Sequence, residues 1–152
     1  MTYSTLQSII TGLLTGDNVL PQVDTVLTGL VDYALTTVAT KADSLHLMTL
    51  DSNADVLRLG PGDYLIRRPA SPLTTIDTLD IDEELSFAVA RMVASMLSRE
   101  KGGIHMAAAN RIILDYNAKV HEILEQMQME AVDESIAYTN SIAYGDSTEF
   151  SL

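Results

Sequence analysis

Six apolar residues, Ala109, Ile113, Tyr116, Val120, Ile123 and Met127, recur at spacings of four, three, four, three and four. No other feature of the chain constrains its fold so tightly. A near-strict heptad of that length demands a helix with a continuous apolar seam, and the seam demands a covering surface. The expected helix runs from about Ile104 to Met129. On another face Arg111, Asp115 and Lys119 follow at i, i+4, the spacing of a solvated charge row. A second helix precedes it. Leu85, Val89, Met92 and Met96 form its stripe, widened by Ala88 and Val93. Asp80 and Glu83 have capping-box spacing, and Lys101 with Gly102-Gly103 ends the helix. A glycine turn this short predicts an antiparallel helix hairpin.

The N-terminal third repeats the helical period. Leu6, Ile9, Ile10, Leu13 and Leu14 predict a short helix from Tyr3 to Leu14, broken by Gly16-Asp17-Asn18. Val23, Leu27, Leu30, Ala34 and Val38 predict another over about Pro21 to Thr40. The period then changes. Alternation around Leu45 and Leu47, the polar turn Asp51 to Asp55 and the breaker Gly60-Pro61-Gly62-Asp63 predict a small β hairpin or meander inserted at about 45–68. Pro69 and Pro72 bound a linker to Leu79. The expected fold class is mainly α, a bundle of about four helices with a small β insertion and an extended C-terminal arm. The expected domains are 1–129, helical, and 130–152, the arm.

The arm differs in chemistry. It has no Lys or Arg, and Glu130, Asp133, Glu134, Asp146 and Glu149 give it a charge of −5 out of −12 for the chain. It also repeats: Ser135-Ile136-Ala137-Tyr138 returns as Ser141-Ile142-Ala143-Tyr144. In an extended chain an even period returns each residue to one face. Ile136, Tyr138, Ile142 and Tyr144 would then point the same way, with Phe150 further along. Three of the eight aromatic residues lie here, the pattern of a peptide that docks in a groove or adds to a sheet edge.

Composition excludes several functions. The absence of cysteine removes disulfides, zinc thiolates, iron–sulfur ligation and cysteine nucleophiles. The acidic balance opposes a nucleic-acid-binding module. No apolar run approaches a membrane span, and the N-terminus lacks the pattern of a signal peptide, so the expectation is a soluble intracellular protein. His46, His105 and His121 have no metal-ligand spacing. Asp51 to Gly62 imitates the start of a calcium loop but has Val56 for the sixth-position Gly and Gly62 for the terminal Glu. Gly60 to Asp63 lacks the Lys-Ser/Thr of a phosphate loop. No paired acid and base, nucleophile motif or cofactor fingerprint is present in the sequence, so neither an enzyme nor a cofactor is expected. Arg67 and Arg68, the only adjacent basic pair, are candidates to bind an acidic surface of a neighbour.

The stretch Tyr64-Leu65-Ile66-Arg67-Arg68-Pro69, then Leu79 to Leu85, then Ala88-Val89-Ala90 and the hairpin to Tyr116, resembles the adaptor (head-completion) proteins of tailed bacteriophages. The resemblance lies in the arrangement of elements over about Pro21 to Met129. It implies a virion protein of the neck: a homo-oligomeric, twelve-fold ring beneath the portal that extends the DNA channel and links capsid to tail. It implies a C-terminal arm bound to the portal, with Ile136, Tyr138, Ile142, Tyr144 and Phe150 as anchors. It implies further contact, with Tyr64, Arg67 and Arg68 as candidates, with a neighbouring subunit or a downstream tail or neck protein, and DNA that passes through an acidic lumen without specific binding. The rival expectation is a small acidic helical regulatory protein whose tail docks on a cellular partner.

Overall fold

The computed structural model describes residues 1–19, 24–42, 56–58 and 65–149, with side chains described in 1–19, 24–42 and 68–129. The described chain is mainly α. Its elements in order are α1 (Tyr3–Leu13), α2 (Asp24–Lys41), β1 (Val56–Arg58), β2 (Leu65–Arg67), α3 (Glu83–Leu97) and α4 (Gly102–Glu149). The chain divides into two compact units, residues 1–117 and 118–152, and α4 runs through the boundary.

Each helix of the first unit follows from its apolar spacing. Thr2 caps α1, its Oγ1 accepting from the Thr5 N–H at 3.2 Å. Leu6, Ile10 and Leu14 then fall on one buried face. Gly16 turns the chain with φ of 76°, a left-handed conformation that glycine adopts without strain. In α2 the buried set is Val31, Ala34, Leu35, Val38 and Ala39; its expected start at Pro21 lies outside the described residues. The α3 helix is buried around most of its circumference and packs on both α1 and α2, so it is the centre of the core. Burying a Leu or Met there removes enough apolar area from water to contribute about 1.5–3 kcal/mol per side chain.

The expected capping box at Asp80 does not form. The residue before the first turn of α3 is Asp82, whose side chain makes no cap bond and instead accepts from the Tyr116 hydroxyl. Asp80 accepts from the Ala70 N–H at 2.8 Å, and Glu83 meets the Met1 ammonium at 2.5 Å. Tertiary partners have taken over both carboxylates of the local motif.

Within the first unit α3 and α4 run antiparallel. Arg91 meets His105 and Asp82 meets Tyr116, so contacts move down one helix as they move up the other. Gly102 permits the tight turn: a Cβ there would lie 2.9 Å from the Ser95 carbonyl oxygen. The Pro-bounded linker is fixed against the N-terminus. Tyr3 and Ser4 N–H groups donate to the Asp77 and Thr75 carbonyls at 2.8 and 2.9 Å, and Leu79 N–H donates to the Met1 carbonyl at 2.8 Å.

β1 and β2 pair antiparallel, Val56 with Arg67, Leu57 with Ile66 and Arg58 with Leu65. Residues 45–55 and 59–64 of the insertion expected at 45–68, Tyr64 included, lie outside the described residues.

The C-terminal expectation needs correction. Residues 130–149 continue α4 rather than forming an extended arm. The segment has no proline to stop a helix started upstream, and a preformed helix extends at small cost per residue. The six-residue repeat therefore does not return to one face. At about 100° per residue, its two copies stand about 120° apart around the helix.

Candidate functional site

A polar cluster of the first unit joins the α1–α2 connection to the α3–α4 turn. His105, in the first turns of α4, is 4% exposed. Its Nδ1 lies 3.1 Å from an Arg91 guanidinium nitrogen, which can only donate, so Nδ1 accepts and the ring proton is on Nε2. Nε2 faces the Asp17 carboxylate at 3.9 Å, too far for a hydrogen bond, and has no hydrogen-bond partner among the described residues. The Asp17 side chain is 0% exposed. It accepts from the Ser98 hydroxyl at 2.6 Å and from the Asn18 N–H at 3.0 Å, and Ser98 in turn accepts from the Lys101 N–H at 2.8 Å. A backbone bond from Arg99 N–H to the Asn18 carbonyl, 2.8 Å, closes the same junction.

Burial holds the His105 imidazole below its ordinary range. The Arg91 charge acts in the same direction, Asp17 opposes it, and Lys101 adds to the depression. Ser, Asp and His meet here, but the hydroxyl donates to the carboxylate and the imidazole is occupied by arginine. No nucleophile–base contact exists in the cluster, as nucleophilic catalysis requires. Its chemistry is that of a bolt between two connections.

A cavity of about 330 Å³ opens between α2 and the segment after β2. Asp32, Tyr33 and Thr36 line it from α2, and Arg68 and Ser71 from the other side. Oδ1 of Asp32 is buried with no hydrogen-bond partner among the described residues. Tyr33 is exposed at the rim, as is Arg68. A carboxylate oxygen removed from water without a donor is costly.

Beyond the cavity the linker presents apolar side chains on a braced loop. Leu73 is 90% and Ile76 81% exposed. The Asp77 carboxylate accepts from the N–H groups of Leu73 and Thr74 at 2.7 and 2.8 Å and from the Thr74 hydroxyl at 2.7 Å. Those bonds, the Thr74 hydroxyl's foremost, hold Asp77 below the usual carboxylate range. The loop is thus shaped by its own hydrogen bonds.

Of the residues singled out in the sequence, Arg68 reaches the cavity and Arg67 ends β2. Tyr64 and Phe150 lie outside the described residues. Ile136, Tyr138, Ile142 and Tyr144 lie along α4. The heptad seam is buried at Ala109, Ile113, Tyr116 and Val120, then exposed at Ile123 and Met127. Asp32, Leu73 and Ile76 carried no sequence signal and Asp17 only that of a helix breaker: each stands in a turn, a linker or a helix where its significance depends on residues distant in the chain. Among the described residues no three His, Asp or Glu side chains gather as a metal site, and no helix is long and apolar enough to cross a membrane. No family model, curated protein or solved structure matches the chain.

Proposed function

We propose that the chain is a structural assembly protein, the head-to-tail adaptor of a tailed phage. In this reading copies form a ring beneath the portal, in the neck of the virion, extend the DNA channel and receive a downstream tail component. The observation that supports it is the distribution of apolar surface. The first unit has a closed helical core yet holds Leu73, Ile76, Ile104 and Leu114 in solvent, and the seam of α4 emerges exposed at Ile123 and Met127. Such surface is suited to burial between proteins. The second support is charge. Beyond Lys119 the chain has seven acidic residues and no Lys or Arg, so a helical rather than extended arm would enter an apolar groove with a basic rim. DNA would pass an acidic ring without sticking.

Light scattering of the protein alone and mixed with candidate portal particles tests this. The expected result is a chain that joins the portal in a fixed multiple and fails to do so when cut after Glu130. A small oligomer indifferent to portal would favour the regulatory binding protein instead.

A further inference from the structure

The part of α4 in the first unit is apolar on two opposite sides. His105, Ala109, Ile113 and Tyr116 form its buried side. At about 100° per residue, Ile104, Ala107, Arg111 and Leu114 fall nearly opposite, within one sector of the helix. Ile104 is 66% and Leu114 65% exposed, and Ala107 and Arg111 are exposed as well. A helix with apolar residues on both sides is normally covered on both. The outer side also holds an ion pair, Arg111 Nε to Asp115 Oδ1 at 3.5 Å, both side chains largely in solvent. Exposed pairs of this kind exchange partners readily because water screens them.

The wall around the α2 cavity has the reciprocal pattern. It offers one carboxylate, Asp32, with a buried unpartnered oxygen, and one guanidinium, Arg68, in solvent. Its apolar rim is Tyr33, with Leu73 two residues beyond Ser71 and so within about 7 Å of it along the chain. Cation and anion on the α4 face thus match anion and cation at the cavity, each pair set among apolar groups.

We propose that the outer face of α4 in one copy of this chain docks on the α2 cavity of the next, Arg111 pairing with Asp32 and Asp115 with Arg68, while Ile104 and Leu114 cover Tyr33 and Leu73. The occupant is a second copy because the two faces complement each other in charge and in apolar character and belong to the same unit. Two different patches on one molecule make a heterologous contact, which generates a ring where the rotation closes. The inference rests on the adaptor reading only in taking the chain to assemble with itself.

The absence of native cysteine allows a clean test. Leu73→Cys and Leu114→Cys both alter exposed positions. The two variants are mixed and treated with a short bismaleimide, first as concentrated protein and then on portal particles. The expected product is the 73–114 link between copies, with little 73–73 or 114–114 link, and a ladder from the chain carrying both cysteines. Adding Arg111→Glu should lower the yield roughly tenfold, with helical circular dichroism unchanged, as expected for a close interfacial charge pair. Dominant 114–114 links, or a yield indifferent to Arg111→Glu, would overturn the interface. A portal-bound ring without the 73–114 link would overturn it and leave the adaptor reading standing. The link in a chain that ignores portal would support the interface and count against that reading.

Discussion

Burial, reinforced by the Arg91 charge, lowers the pKa of His105, and that makes it a source of pH-dependent stability. Arg91 occupies Nδ1, Lys101 adds positive charge, and only the Asp17 carboxylate, itself bonded to Ser98 and Asn18, favours a proton. The folded value therefore lies below the ordinary 6.5. Above that value the imidazole is neutral in both states and contributes no pH dependence. As pH falls below it, the unfolded chain takes up a proton that the folded one resists, and stability declines until pH passes below the folded value. Melting temperature should accordingly begin to drop as pH falls through about 6.5, the ordinary histidine value. His105→Gln, which retains an acceptor toward Arg91 but does not titrate, should flatten that decline. Equal slopes in the two proteins would show that the pH dependence arises elsewhere. Nothing in the local sequence announces this role. Asp17 and Ser98 are 81 positions apart, and a lone histidine near a helix start looks the same whether buried or exposed.

The helices of the first unit were legible because apolar spacing at 3.6 residues reports a helix directly, but the face in α2 was only half right: of the stripe Leu27, Leu30, Ala34 and Val38, the last two are buried, while Val31 and Leu35 complete the core face and Leu27 and Leu30 are half-buried. The C-terminal stretch was misread because an even repeat is equally compatible with a helix, where it carries no facial meaning. Charge spacing at Asp80 and Glu83 suggested a local cap, but Ala70 and Met1 compete for those carboxylates from outside the helix. The Pro-bounded linker was equally opaque, since its order comes from pairing with residues 1–4. Two elements make testable demands. At the α3–α4 turn, Gly102→Ala would press a methyl against the Ser95 carbonyl oxygen, a backbone atom that cannot swing aside. The expected cost is about 1–3 kcal/mol, read from denaturant unfolding. A cost near zero would mean that the turn can open. At the linker, Asp77→Ala removes three acceptor contacts from the loop that presents Leu73 and Ile76. The amides of Leu73 and Thr74 should then exchange with solvent faster, while those in the middle of α3 keep their rates. Unchanged exchange at both amides would assign the shape of the loop to its pairing with the N-terminus instead.

For the whole molecule, charge sets opposite demands on the two proposed associations. Each copy carries −12, so bringing copies together costs long-range repulsion even where Arg111 faces Asp32. The acidic stretch after Lys119 should instead be drawn to a basic groove. Salt weakens both effects, because the Debye length falls from roughly 10 Å at 0.1 M to roughly 3 Å at 1 M. Self-association, driven by apolar burial and opposed by net charge, should therefore strengthen with salt. Attachment to portal, steered by opposite charge, should weaken over the same range. Light scattering of the chain alone and sedimentation with portal particles, each across a sodium chloride series, would separate the two. If both rise with salt, the acidic helix is not docking by charge, and Ile123 and Met127 become the first candidates for an apolar attachment. If both fall, repulsion between copies is not limiting, and the cross-paired Arg111–Asp32 and Asp115–Arg68 contacts outweigh the net charge. Opposite slopes would match an assembly whose ring is held by apolar faces and whose anchor is electrostatic.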